Sequence, residues 1–396
     1  MYSASILPPS KQPSVTEVLK AYKRVEFEAC PYIKLTNYFA NQHILDAAKG
    51  ASRLHIVDYG ISYGFQWPCL ISALAQRKGG PPFLKITGID LPASAMGRSP
   101  AEVVEQTGRR LARYARAYGV PFQYHGVAAA TWEDINAEVV LGLSGGSRGA
   151  GEVLAINTIN RLRHLLDESA AEATKYGSEE QVAGGRENHH YHYQNRNRRG
   201  GHEMAAEEAQ EEEEEEEEEE GYFKCPRDKV LAMMRRLQPD IVVMGFVNGA
   251  HSSPFFVPRF KEALYYYASR FDALHSNVAG EVAERAMVER EVLGREIMNV
   301  VACEGAERVE RPETYKKWHA RIQRTTGFTP LPLPPPLLAT SRAIVESLFH
   351  KEFSVFPGGH GHGHGHDANA SWMLMGWKGR PVQALSAWKP TSSSSS

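Results

Sequence analysis

The sequence is sparing with cysteine. Its four cysteines, Cys30, Cys69, Cys225 and Cys303, are scattered over 396 residues with no CxxC pair. That argues for reduced thiols in an intracellular protein and against a disulfide framework or a thiolate zinc site. No run of eighteen apolar residues occurs, so no membrane-spanning helix is expected. The opening MYSASILPPSKQPSV has no basic start followed by an apolar stretch, so no secretory signal is expected. Neither a phosphate-binding G-x-x-x-x-G-K-[ST] loop nor an H-E-x-x-H helix is present. No metal, cofactor or catalytic residue is expected from these absences.

What is there begins with hidden charge. The net charge is −2, but residues 203–220 hold thirteen Glu and no Lys or Arg, and removing those thirteen leaves +11 for the remainder. A basic remainder suits an acidic partner, nucleic acid or an acidic protein segment, or reflects ordinary solvated helix faces. Residues 169–221 combine a His/Arg/Asn-rich tract with ten consecutive Glu. They lack the apolar content for a core and read as a disordered insertion. Its His189, His190 and His192 read as a solvated tract. Residues 1–15 read as loose and the poly-Ser tail 391–396 as disordered. The Gly/His repeat within 357–367 reads as a slack hairpin tip.

The ordered part alternates strands and helices. A helical pattern over 15–49, stopped at Gly50, leads to an apolar strand over 53–59. Then come Gly60 and Gly64, a helix over 65–76, and a strand over 83–90 ending in Asp90. Ser99, Pro100 and Glu102 form the signature of a capping box for a helix with the stripe Val103, Thr107, Leu111, Tyr114 and Tyr118. Its other face carries Arg109, Arg110, Arg113 and Arg116, a solvated face or one that binds phosphate or acid. Strands follow at 121–127, 152–159 and 241–247. Helices are expected at 131–143, 161–167, 255–274, 278–302, 312–326 and 339–349, with 331–336 a stiff connector. A last strand at 352–356 and a hairpin over 371–388 close the chain. This order predicts an α/β, Rossmann-type, methyltransferase-like fold: a mostly parallel sheet with helices on both faces and an antiparallel C-terminal edge.

In such a sheet the ligand crevice lies outside the carboxyl ends of the strands. Asp58, Gly60, Gly64, Gln66, Asp90, Asn157 and Asn248 are its candidates. As a nucleotide-type site it is incomplete. Asp90 suits ribose hydroxyls, but Ser62 stands where a second close glycine is wanted, and Tyr59 and Tyr63 add bulk. Strand four ends in Asn157-Thr158-Ile159-Asn160, without the Pro-Pro-aromatic cluster of amino-directed methyltransferases. His55, inside a strand, reads as a core histidine. Trp67 and Pro68 read as locking the first helix onto the sheet, with Gln66 facing the crevice or a cap.

Leu54-His55-Ile56-Val57-Asp58, with Gly64-Phe65-Gln66-Trp67-Pro68, resembles the VHIID motif of the plant GRAS proteins, nearest the scarecrow-like branch. Thr107-Gly108-Arg109-Arg110-Leu111 and Arg161-Leu162-Arg163 follow in the family's order. Leu293-Gly294-Arg295-Glu296-Ile297 resembles its PFYRE region. Gly376-Trp377-Lys378-Gly379-Arg380 and Ser386-Ala387-Trp388 resemble its SAW motif. The resemblance adds a partial helical cap to the fold and implies a single domain over 16–390. Residues 16–50 are the remnant of its first leucine-rich cap helices, and 53–168 carry the VHIID motif and the start of the second leucine-rich region. Residues 222–330 complete that region and the PFYRE region, and 338–390 form the SAW region. The short stretch before the motif reads as a truncated paralogue or a short gene model. The family further implies a nuclear transcriptional regulator without established catalysis. It acts through DNA-binding transcription factors or other GRAS proteins, as homo- or heterodimers, with direct DNA contact in some members. The competing reading is a small-molecule-binding or S-adenosylmethionine-dependent enzyme using the Gly60–Asp90 crevice.

Overall fold

Strands buried on both faces need apolar residues at every position rather than at alternate ones. Ile241–Val247 meets that demand, and all seven of its residues are buried. Such strands form the centre of the computed structural model, which describes residues 13–91, 99–141, 151–168, 225–278, 282–359 and 370–391. The strands are β1 (Arg53–Tyr59), β2 (Phe83–Asp90), β3 (Phe122–Ala128), β4 (Glu152–Ile159), β5 (Ile241–Val247), β6 (Thr329–Pro330), β7 (Phe353–Gly358), β8 (Trp372–Trp377) and β9 (Arg380–Lys389). They make one sheet in the order β3-β2-β1-β4-β5-β9-β8-β7, with β6 paired to β9. The first five are parallel, and β7, β8 and β9 run antiparallel. The chain runs outward from β1 in both directions, which places a switch point between β1 and β4.

Helices cover both faces. On one face lie α1 (Val15–Tyr22), α2 (Tyr32–Ala47), α3 (Trp67–Ala75), α4 (Pro100–Ala117), α7 (Phe256–Asn277), α8 (Val282–Val288), α9 (Gly294–Ala302) and α11 (Pro335–Leu348). On the other lie α5 (Ala137–Leu141), α6 (Pro226–Arg236) and α10 (Tyr315–Thr326). Side chains alternate along β1: Leu54 and Ile56 enter the first core, Val57 and Tyr59 the second. Two π-helical turns, Lys23–Glu28 and Glu289–Leu293, sit in the helical layer over the carboxyl ends of the parallel strands.

Several local expectations are corrected. Residues 161–167 hold only a 3-10 turn, Leu162–His164, because Asn160 adopts a left-handed φ of 59° and breaks the entry to a helix. Within 131–143 only Ala137–Leu141 is helical among the described residues. Ser99 is the N-cap of α4 but makes no side-chain cap bond; the capping box forms at Ser14 and Glu17 instead. The buried stripe of α4 runs through Val104, Thr107, Leu111 and Ala115 rather than Val103 and Tyr118. The final strands do not alternate: every residue of Trp372–Trp377 is buried, since helices cover both faces. The edge falls to β7, where Pro357 is tolerated. The long tract 169–224, the His/Gly residues 360–369 and the termini 1–12 and 392–396 lie outside the described residues.

The two mouths of the 169–224 tract are held together. Arg321 donates to Glu168 (2.6 Å) on one side and to Asp228 (2.8 Å) on the other. Beside it, fully buried Arg311 pairs with Asp167 (2.7 Å), and Arg227 pairs with Glu313 (2.8 Å) and donates to the Arg311 carbonyl (2.8 Å). Removing one partner of a buried pair strands the other. Arg321→Ala is expected to cost about 3 kcal/mol in urea unfolding. Replacing residues 169–224 by a four-residue Gly/Ser linker should shift Tm by less than about 5 °C, because the ends already meet. A collapse of the melt on that replacement would show that the tract belongs to the core.

Candidate functional site

The turn after β1 occupies the switch point, and its backbone is unusual. Gly60 has φ 100°, and a Cβ there would fall 2.1 Å from Nε of Arg161. Gly64 has φ 64°, and its Cβ would fall 2.9 Å from a methyl of Thr107. Ser62, the residue that breaks the glycine spacing, nonetheless takes the left-handed conformation, φ 46°. Its N–H donates to Asp90 (3.2 Å) and its carbonyl accepts from the Thr107 hydroxyl (2.7 Å). Arg110 donates to the Tyr63 carbonyl (3.2 Å) and to Thr107 (2.8 Å). The turn is therefore braced from β2 and α4.

Behind it lies a buried polar chain. Asp58 accepts from the Trp67 indole (2.9 Å) and from the Asn157 amide (3.0 Å). Burial pushes its carboxyl up to about 6, against the pull of those two donors and of Arg161. The Gln66 amide donates to Asn157 (3.3 Å) and to Asn41 (3.1 Å), and Asn41 donates back to the Gln66 carbonyl (3.3 Å). One network thus joins β1, α3, β4 and α2.

In front of the turn, under the helical layer, is a cleft of about 370 Å³. Gly60, Gly64 and Gln66 line it, together with Asn160, Arg161, Arg163, Glu26 and Glu296. Asp58, Asp90 and Asn157 are buried behind this wall. Asn248 is elsewhere: it donates to the Pro381 carbonyl (3.1 Å) and accepts from the Tyr315 N–H (3.0 Å), tying β5 to β9 and α10. Arg163 bridges Glu296 (3.1 Å) and Glu310 (3.3 Å), and burial pushes the Glu296 carboxyl up while Arg163 opposes it. Arg270 pairs with Glu26. Arg295 turns instead to Glu291 (2.8 Å).

The remaining residues hold the scaffold. His55 is buried and paired with Thr87 (2.8 Å). Pro68 sits in the first turn of α3. Trp377 donates to Asp272 (2.6 Å) and Trp388 to Ser386 (2.7 Å). The arginine face is narrower than expected. Arg109, Arg113 and Arg116 are exposed on α4, whereas Arg110 turns inward to the glycine turn. Glu168, Cys225 and Asp228 come close enough to hold a metal ion, but the Arg321 guanidinium fills that position, 2.6, 3.4 and 2.8 Å from them. Sequence reasoning did not assign Asn41, Thr107 or Arg161 to the site; Thr107 and Arg161 carried a signal as members of the ordered motifs, and Asn41 carried none. It also passed over a Gly-x-Ser-x-Gly match at 142–146, which lies outside the described residues.

The fold implies an S-adenosylmethionine seat, and the residues present do not fit one. Arg161 covers Gly60 where the cofactor would approach, and Nη2 donates to the Gly60 carbonyl (3.2 Å). Both oxygens of Asp90 are engaged, by the N–H groups of Ser62 (3.2 Å) and Leu91 (3.0 Å).

The raised Asp58 carboxyl makes a pH prediction. The folded chain takes up this proton before the unfolded chain does, so the stability this group gives falls as pH rises from about 4 to about 6. Asp58→Asn removes that dependence. Against wild type, the variant should gain about 3 kcal/mol between pH 4 and pH 7 in urea unfolding. Parallel pH profiles for the two proteins would contradict the assignment.

Comparison with known proteins agrees with this architecture. Residues 1–389 match the GRAS domain family. Scarecrow-like protein 11 of Arabidopsis thaliana is 37% identical over 96% of this chain and 51% of its own length. Scarecrow-like protein 14 of the same plant is 38% identical over 97% of this chain and 41% of its own length. The chain thus spans about half the length of the curated relatives it matches. The crystal structure of SCL7 in Oryza sativa superposes with a TM-score of 0.69 at 27% identity, over 94% of this chain and 83% of that one. With the motifs in order, the sheet topology and these relatives in agreement, the chain belongs to the GRAS domain family.

Proposed function

We propose that this chain is a nuclear transcriptional regulator that works by contact with DNA-binding transcription factors. The observation that carries this reading is the outer face of α7. Phe256, Phe260 and Leu264, at i, i+4 and i+8, are exposed, and Phe255, Val257 and Tyr265 flank them. Phe255 is 73% exposed and Tyr265 is 59% exposed. The inner face of the same helix buries Arg259, Ala263, Tyr266 and Tyr267. A helix apolar on its solvent side as well as its core side is the form of a protein-docking surface. The exposed Arg109, Arg113 and Arg116 give a second, basic surface for an acidic protein segment or a phosphate backbone. The poor fit to S-adenosylmethionine weighs against the enzymatic reading. No helix among the described residues is long and apolar enough to cross a membrane.

The test compares wild type with Phe256→Asp/Phe260→Asp. Wild type should capture sequence-specific DNA-binding factors from nuclear extract, identified by mass spectrometry, and change a reporter driven by their sites. The double variant should keep its melt and lose at least about tenfold in capture. Equal capture by both proteins would move the docking surface elsewhere. A wild type that captures no DNA-binding factor and leaves the reporter unchanged would end the reading.

A further inference from the structure

The cleft at the switch point is built more elaborately than a protein-docking scaffold requires. Its arginines are unevenly paired. Arg163 has Glu296 and Glu310, and Arg270 has Glu26. Arg161 has no carboxylate within ion-pair distance among the described residues, buried Asp58 acting on it only from farther off; it donates to the Gly60 carbonyl. A guanidinium carries five N–H donors, and this one lines the cleft with one of them on that carbonyl. Two polar atoms of the lining are also without partners among the described residues: the hydroxyl of Tyr32, which is 4% exposed, and the amide oxygen of Asn160.

The backbone is strained in the same place. Of the four non-glycine residues with positive φ among those described, Ser62 and Asn160 both line the cleft. Both π-helical turns contribute to it as well, through Glu26 from the first and Val292 and Leu293 from the second. Such features persist where a ligand site requires them. The wall also carries an apolar stretch, Ile33, Ile61, Val247, Val292 and Leu293, beside the polar Thr36, Asn37 and Gln383.

We propose that this cleft binds an amphipathic organic acid, with one carboxylate on Arg161 and an apolar body against Ile61, Val247 and Leu293. The volume of about 370 Å³ falls in the range of small-ligand sites. A single guanidinium without an ion-pair partner matches one carboxylate group, which favours a carboxylate over a phosphate dianion. The ligand is bound rather than transformed, since the wall presents no nucleophile and base in contact. This inference goes beyond the regulatory reading and does not depend on it.

The probes are naphthalene-1-carboxylate, 1-naphthylmethanol and 1-naphthyl phosphate, titrated by calorimetry into the purified full chain without any partner. The carboxylate should bind and raise Tm, with the alcohol at least about tenfold weaker. Arg161→Gln should lose at least about tenfold in carboxylate affinity while keeping a cooperative melt, and Arg161→Lys should recover part of it. Leu293→Trp, which fills the apolar end, should lose binding of the carboxylate independently of Arg161. Silence with the carboxylate, equal binding of acid and alcohol, undiminished binding by both Arg161→Gln and Leu293→Trp, or tighter binding of the phosphate would each overturn the proposal. None of these results depends on capture of a transcription factor, so the two readings fail separately.

Discussion

The buried carboxylate of Asp58 is the constraint on which the rest of the fold hangs. A charge taken out of water needs donors, and it has two, from Trp67 and Asn157. The first fixes the rotation of α3 on the sheet. The second fixes Asn157, which pairs with Gln66, which in turn binds Asn41 on α2. Four elements, three consecutive in sequence and the fourth about a hundred residues on, are set by one acid. The acid is still unfavourably placed, as its raised proton affinity shows. An apolar residue there would give β1 a quieter neighbour, but it would leave the Trp67 and Asn157 donors without an acceptor in the core. Order among four elements is what the network supplies.

The same turn explains why a nucleotide-type fold is compatible with a different use. Close approach to a glycine turn needs an open space in front of it, and here Arg161 takes that space. Asp90, the acid that would receive ribose, instead binds the N–H of Ser62 and so holds the turn in its left-handed form. Few residues close the turn to a cofactor: Arg161 after β4, Ser62 in the turn and Thr107 on α4. Fold and activity separate at this point, because the sheet needs Gly60 and Asp58 whether or not a cofactor is bound.

How much of this was legible followed from where the determining contacts lie. Four of the five parallel strands, 53–59, 83–90, 152–159 and 241–247, could be read to the residue: Ile241–Val247 is an unbroken apolar run, and the other three are largely apolar segments flanked by turn residues. The crevice position followed from strand order, and Gly60, Gly64 and Gln66 do line it. Arg110 was misplaced because helical spacing puts it beside Arg109 and Arg113, and only the tertiary position of Tyr63 shows it turning inward. Residues 161–167 read as a basic-apolar helix, and a single left-handed residue, Asn160, prevented it. The roles of Arg161 and Asn41 were hidden, since each acts through a partner about a hundred or twenty-five residues away.

The helix α7 brings the two surfaces of interest into one rigid body. Its inner face gives Tyr266 and Arg270 to the cleft, and its outer face presents Phe256, Phe260 and Leu264 to solvent. Arg270 is anchored to Glu26 in the first π-helical turn. A π turn inserts one extra residue per turn into the hydrogen-bond ladder, and that geometry carries Glu26 to Arg270 across the cleft. The helical layer is therefore not a passive cover. Its two irregular turns set the cleft's walls, and the helix between them carries the apolar face outward. A chain built this way keeps its polar irregularities at the carboxyl ends of the sheet, and its sheet can stay apolar and regular beneath them.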